Sequence, residues 1–481
     1  MTGSEARGAA TGTAVARQAV DPSRLTSRLR AILAVVVIAD VMDLMDSTIT
    51  NIAAPSIVRD IGGGESLIKW LGSSYALAMG VLLVVGGRLG DRYGKRRLFL
   101  IGTAGFTAAS LACGLAPGPA LLIFARVLEG GFGALLIPQG IGILLAAFSR
   151  EQLPRVFSTF GPVLAGSAVL GPIVAGLLIG ANIAGLSWRP VFLINVVLGA
   201  AGFAAAFRLL PCDRPSSAAP IDGLGAGLLG ATMFAWMYGL IMGSTDGWHA
   251  LPIASLAIGV PAFVAFGLRQ RAAAIPLILP SLLANRGFTS GLLVGVAFFA
   301  AVNGLAYVIS IFFQLALGLS PSHAALGLSP LMVGIVAASL AGRPLMGKLG
   351  RRLVVTGVVI TLAGAVGLAI TVAAGGTSIS VWAMAPSILV LGVGMGACFT
   401  SIYDVAVGDV APAEAGSASG ALSAVQQLAA AIGSAVVTTV YFAERSDHSA
   451  SHAMTVSVVI VAAIAALCLG PVWLMPRKAQ D

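Results

Sequence analysis

The chain has 481 residues, 58% of them hydrophobic and only 10% charged, with a mean hydropathy of +0.97 and a formal net charge of +9. A soluble domain carries about 25% charged residues, so this composition excludes a water-facing globular surface. The four cysteines (Cys113, Cys212, Cys398 and Cys468) show neither metal spacing nor a disulfide framework, and the basic excess follows membrane topology rather than forming a nucleic-acid patch.

Apolar runs of about 20 residues, each long enough to cross roughly 30 Å of hydrocarbon as a helix, recur nearly to the end. An all-α polytopic membrane protein is predicted, since a barrel would alternate over about 10 residues. Fourteen spans are expected near 31–54, 67–87, 98–116, 119–147, 156–180, 190–210, 223–243, 251–268, 288–313, 324–345, 353–374, 381–403, 416–442 and 453–475. Residues 1–30 read as a disordered cytoplasmic tail, and the first run is too long and too acidic for a signal peptide. With the N-terminus inside, about 23 Lys and Arg fall on the inner face, Arg150, Arg214, Arg477 and Lys478 among them. Only Arg59, Lys69, Arg189 and Arg445 fall outside. This asymmetry predicts an even number of spans with both termini cytoplasmic. The four histidines (His249, His323, His448 and His452) fall in outer loops and read as surface groups.

In the first span Asp40, Asp43 and Asp46 recur at i, i+3 and i+6, covering about 120° of one helix face. Carboxylates in a span are costly and functional by default, which makes them candidate proton carriers. After the second span comes Gly87-Arg88-Leu89-Gly90-Asp91-Arg92-Tyr93-Gly94-Lys95-Arg96-Arg97. Its glycines permit a tight turn, and Asp91 can pair with Arg92 or with a helix end across the bundle, forming a conformational latch. It is not a nucleotide loop: Gly90 to Lys95 is one residue short of a P-loop and Arg96 replaces Ser/Thr. A weaker echo, Met346 to Arg352, has Gly347 in the place of Asp91. It suggests two repeated halves with spans seven and eight inserted between them.

Arg126 and Glu129 in the fourth span are spaced to pair, as a clamp or as a switch. The fifth span carries Gly166, Gly171, Pro172 and Gly176, small residues suited to tight contact between the halves, with a proline able to kink the helix. Trp188 is expected to anchor at the outer interface. In the second half Asn303, Gln314, Gln426 and Gln427 either line a cavity or join helices as polar glue, and Gly392, Gly394 and Gly396 read as close-packing positions. Asp404, Asp409 and Glu414 read as solvated.

Several of these segments carry a resemblance. Residues 87–96 fit G-x-L-x-D-R-x-G-R-K. Met45 to Pro55 resembles L-D-x-T-I-V-N-V-A-L-P, with Asp46 at the aspartate. Arg126 to Gly130 resembles R-x-x-Q-G, with Glu129 where glutamine is usual. Gly166 to Gly176 resembles G-x-x-x-G-P-x-x-G-G, and Ser187 to Asn195 resembles W-R-W-I-F-x-I-N. Together, from about residue 40 to 475, the chain resembles the fourteen-span drug:proton antiporters (EmrB/QacA type) of the major facilitator superfamily.

The resemblance implies a major facilitator fold: six-helix halves at 31–210 and 287–475, a linker at 211–286 holding the inserted spans, and a cytoplasmic tail at 476–481. It implies proton-coupled efflux of small, largely apolar drugs or antibiotics across the bacterial plasma membrane, conferring resistance or an antibiotic producer's self-resistance. Asp46, Asp43, Asp40, Arg126 and Glu129 then couple protons. The proton motive force takes the place of a cofactor, no metal is expected, and the partners are the substrate, protons and the lipid bilayer, with a monomer as the expected unit. The competing readings are an exporter of another metabolite, a proton symporter on the same fold, and a non-transporting membrane receptor. No constellation of nucleophile, metal or nucleotide site suggests an enzyme.

Overall fold

The computed structural model describes residues 26–149, 152–212, 222–274, 276–407, 410 and 414–475. The N-terminal tail up to residue 25, Arg150, Arg214, Asp409, Arg477 and Lys478 lie outside them, as does the side chain of Asp404. Among the described residues all regular structure is helical, in the order α1 (Ser27–Ile61), α2 (Gly64–Tyr93), α3 (Lys95–Gly114), α4 (Pro119–Ala147), α5 (Leu153–Ala181), α6 (Pro190–Leu209), α7 (Gly223–Asp246), α8 (Ala250–Ala272), α9 (Pro280–Ala284), α10 (Arg286–Ile311), α11 (Pro321–Gly327), α12 (Ser329–Leu349), α13 (Arg351–Gly375), α14 (Val381–Val407), α15 (Ala415–Asp447), α16 (Ala450–Ala466) and α17 (Leu469–Val472). Among the described residues, eleven helical stretches are long and apolar enough to cross a membrane. The long helices outside that set are α1, which carries the three aspartates, α5 and α12.

Helices α1–α6 pack on one another, chiefly α2 and α3 on α4, α5 on α1, and α6 on α1 and α3. A second group is built from α10 and α12–α16, with α14 between α12 and α13, and α15 against α10 and α16. The groups meet along two seams, α2 and α4 with α15, and α5 with α11 and α12. The inserted α7 lies on the first seam, touching both α2 and α15, and α8 packs on α7. A Cβ at Gly80 of α2 would lie 3.0 Å from Met237 Cε of α7 and 3.6 Å from Gln427 Cβ of α15, so three helices converge there. Beyond α7, Trp248 Nε1 donates to Thr439 Oγ1 at 2.8 Å. The outer surface is apolar, with Val197, Leu177 and Ile370 about two-thirds exposed. Exposed apolar area on this scale fits contact with lipid rather than water.

Helices in lipid gain little from hydrophobic burial against each other and associate through close packing of small residues. The three glycines of α14 behave this way. A Cβ at Gly392 or Gly396 would collide with the backbone of α12 at Leu331 or Ile335, and one at Gly394 would meet α13 at Thr361 and Gly357. At the α2–α3 turn Gly94 has φ +96°, a conformation that glycine alone adopts without strain.

Trp188 is fully buried rather than anchored at an interface. It packs edge-on against Phe192, and its Nε1 donates to Asp60 Oδ2 at 2.9 Å. The C-terminal end of α1 and the start of α6 meet at this point, and that junction is what encloses the ring. Arg189 Nη1 donates to the same oxygen at 2.6 Å and its guanidinium lies 4.8 Å from the Trp188 ring centroid. Bonds from Arg189 first, and from Trp188 second, hold the Asp60 carboxyl below its ordinary value of 3.8. With the folded value below the unfolded one, this stabilisation is in place above the unfolded value and is lost as pH falls through the folded one. Asp60→Asn is therefore predicted to flatten the acid limb of the stability profile, measured by thermal unfolding between about pH 2 and 5.

Candidate functional site

The three aspartates of α1 descend one face of α4. Asp46 lies by Arg126, Asp43 by Gly133 and Asp40 by Gly140, so the helices run antiparallel and the carboxyls span about 9 Å at 1.5 Å per residue. The closeness of α4 depends on missing side chains. A Cβ at Gly133 would sit 2.8 Å from Asp43 Oδ1, and one at Gly130 would collide with the backbone of Tyr75 on α2.

Arg126 is the centre of the site. It is fully buried, its Nη1 donates to Asp46 Oδ2 and, at 2.7 Å, to Glu129 Oε2, and its Nε donates to the Leu71 carbonyl at 3.1 Å. Its guanidinium lies 4.4 Å from the centroid of the Tyr75 ring, a cation–π contact that is stronger in a desolvated site. The other carboxylate oxygens are also occupied. Asn195 Nδ2 of α6 donates to Asp46 Oδ1 at 2.7 Å. Ser110 Oγ of α3 donates to Glu129 Oε1, and the Cys113 thiol to Glu129 Oε2 at 3.5 Å. Tyr75 donates its phenol hydrogen to Asp43 Oδ1. Asp40 differs: it is 4% exposed and neither of its oxygens has a hydrogen-bond partner among the described residues.

Two buried carboxyls, Asp46 and Glu129, thus share one guanidinium, and two more, Asp43 and Asp40, follow on the same face of α1. Isolated charges are expensive in a membrane interior, and one cation neutralises one carboxylate.

The loop after α2 lies at one end of this group, with partners other than those the sequence suggested. Asp91 pairs with Lys95 Nζ at 3.5 Å, not with Arg92, whose guanidinium lies over the Tyr93 ring. The tight Gly94 turn brings Lys95 back one helical turn from Asp91, which gives that pair its geometry. Arg96 Nη2 donates to the Phe207 carbonyl in the last turn of α6 at 2.6 Å, a helix end that favours a cation. Arg88 donates to the Pro276 and Leu277 carbonyls of the linker at 2.6 and 2.5 Å. Gly87 is buried beside Gly420 of α15, and a Cβ at Gly90 would collide with Gln139 of α4.

In the fifth span Gly171 packs on α1 of its own group, against Thr48 and the Met45 carbonyl, rather than between the halves. One face of α5 serves α1 and another serves α12. Gly176 lies in the same helix, and positions Gly166 and Pro172 fall outside the described side chains. The second-half amides do not form one cluster. Asn303 bonds the Phe299 carbonyl of its own helix at 2.8 Å, Gln314 bonds Ser310 at 2.9 Å, and Gln427 reaches Met79 Sδ of α2 at 3.2 Å beside the half-buried Gln426. Glu414 accepts from Ser281 at 2.6 Å.

Sequence reasoning missed Tyr75, Ser110, Cys113 and Asn195. Asn195 closes a motif that was visible, but the other three are set by how α2 and α3 approach α4, and no spacing encodes that.

The Major Facilitator Superfamily family model matches residues 36–434. A probable actinorhodin transporter of Streptomyces coelicolor is 42% identical over 86% of this chain and 73% of its own. The tetracenomycin C resistance and export protein of Streptomyces glaucescens is 33% identical over 86% and 76%. A multidrug efflux pump, LfrA, of Mycolicibacterium smegmatis is 31% identical over 88% and 82%. Among solved structures, the human organic anion transporter MFSD10 (TETRAN) superposes with a TM-score of 0.61 at 14% identity, covering 94% of this chain and all of that one, a likeness of fold. With a bundle of apolar helices, bacterial relatives over most of its length and a family model spanning both helix groups, this chain is a multi-pass protein of the bacterial plasma membrane and belongs to the Major Facilitator Superfamily.

Proposed function

We propose that the protein is a fourteen-span, proton-coupled exporter of small, largely apolar antibiotics or drugs, with both termini cytoplasmic. The observation that carries this reading is the buried set Asp46–Arg126–Glu129 with Asp43 and Asp40 beneath it. One carboxylate would suffice to neutralise Arg126, so the further buried carboxyls favour a proton carrier over a structural clamp. In this scheme a proton entering from outside loosens Arg126 from one of its two carboxylates, and the α1–α4 contact changes with it. Relatives described as an actinorhodin transporter, a tetracenomycin C export protein and a puromycin resistance protein support export and an antibiotic as substrate. The energetics suffice: one charge crossing about 100 mV is worth about 2.3 kcal/mol, enough at about 1.4 kcal/mol per tenfold gradient to hold a neutral solute at roughly 50-fold.

The test is efflux of a panel of antibiotics and dyes from a pump-deficient bacterium, with and without a protonophore. Export abolished by the protonophore supports the proposal, and export that persists undiminished overturns the coupling. Glu129→Gln sharpens it. The amide oxygen still accepts from Arg126 while the amide nitrogen donates to Ser110 Oγ, whose hydroxyl turns from donor to acceptor, so stability is expected to stay within about 1 kcal/mol of wild type. One protonatable group is lost, so the pH dependence of efflux is expected to change. An unchanged pH profile would remove Glu129 from the coupling path.

A further inference from the structure

The end of α15 and the start of α16 form a second cluster, remote from the carboxyls of α1. His448 Nδ1 and His452 Nε2 approach the same oxygen, Glu444 Oε2, at 3.3 and 3.5 Å. The three donor atoms all lie within 4.8 Å of one another, and the imidazole rings stack with centroids 4.5 Å apart. A tetrahedral ion with bonds of about 2.0–2.1 Å holds its ligands about 3.3–3.4 Å from one another, and the two nitrogen–oxygen separations match that edge. The backbone fixes the arrangement. Glu444 and His448 occupy the last turn of α15 and its cap, where His448 N donates to the Glu444 carbonyl at 2.9 Å. Ser449 caps α16 by accepting from His452 N at 3.2 Å. The side chains of Glu444, His448 and His452 are 33, 53 and 49% exposed, so an ion reaches them from solution and a water can complete its shell.

We infer that Glu444, His448 and His452 form a binding site for a divalent late first-row metal ion of the zinc class, with an open fourth position, that staples α15 to α16. Two imidazoles and one carboxylate suit zinc, cobalt, nickel or copper, and oxygen-seeking magnesium or calcium poorly. The site needs neither a substrate nor a proton gradient, so it stands or falls apart from the transport proposal.

The experiment uses the full-length chain in detergent, purified through a tag without histidine. Zn²⁺ is titrated calorimetrically and Co²⁺ by its visible absorption. The expected result is one equivalent bound with a tetrahedral cobalt spectrum, displaced by Zn²⁺, and a rise in thermal unfolding temperature with Zn²⁺. His448→Ala and His452→Ala are each expected to weaken binding by more than about 100-fold, beyond what loss of an outer-shell partner costs. His323→Ala, at a separate loop, is expected to leave it unchanged. Absence of stoichiometric binding by the wild type would overturn the site. So would binding that survives in the His448→Ala/His452→Ala double variant, since the ion would then sit elsewhere.

Discussion

Replacing Arg126 by alanine is expected to abolish export and to lower the unfolding free energy by about 3–5 kcal/mol, the cost of removing one partner from a buried ion pair. The side chain is fully buried, and its Nη1 serves both Asp46 and Glu129 while its Nε satisfies the Leu71 carbonyl. Alanine strips the cation from two carboxyls, orphans that carbonyl and leaves a void against Tyr75. Arg126→Lys separates charge from geometry. A lysine restores the charge as a compact ammonium but not the planar fork, so it is expected to recover part of the stability and little of the export. Thermal unfolding of both variants in detergent, beside efflux in cells, gives the two readouts. Wild-type stability in Arg126→Ala would show that the carboxyls stay neutral without their cation and that the guanidinium does not hold the bundle.

Gly392→Val is expected to have a large effect in the second half. A Cβ there would collide with the Leu331 carbonyl and lie 3.1 Å from Gly334 Cα, so the obstacle is backbone on both counts. No side-chain rotation relieves it, and α12 must move away from α14. Overpacking typically costs about 1–3 kcal/mol, and a contact that is backbone against backbone belongs at the upper end. Gly180→Ala in α5, where nothing lies within 4 Å of the new Cβ, serves as the control and is expected to be silent. The check is the unfolding temperature of each purified variant. Equal temperatures for the two would show that the α12–α14 crossing has slack.

The helices and the acids were legible because the bilayer makes both conspicuous: apolar runs have a minimum length, and aspartates within one are costly. The Arg126–Glu129 pair was legible because residues three apart share a helix face. That Asp46 completes it was not, because 80 residues separate it from Arg126 and only the approach of α1 to α4 closes the gap. The same limit explains Asp91 and Trp188. Each pairs through the folded turn or junction around it, whereas the sequence pointed Asp91 to Arg92 or a helix end and Trp188 to the membrane interface. The α5 glycines were read as the contact between halves because a motif marks a helix, not which of its faces a residue occupies.

The placement of α7 makes the two seams unequal. With a third helix wedged against α2 and α15, and α8 behind it, a molecule dissolved in the surrounding lipid meets a sealed flank on that side. On the opposite side α5 meets α11 and α12 directly, and parting that pair alone would open a sideways entrance. In the proposed exporter, lateral access to the interior is therefore expected on that side alone. Substitutions that alter how apolar solutes enter such an exporter would be sought along α5 and α12 rather than at the α2–α7–α15 junction.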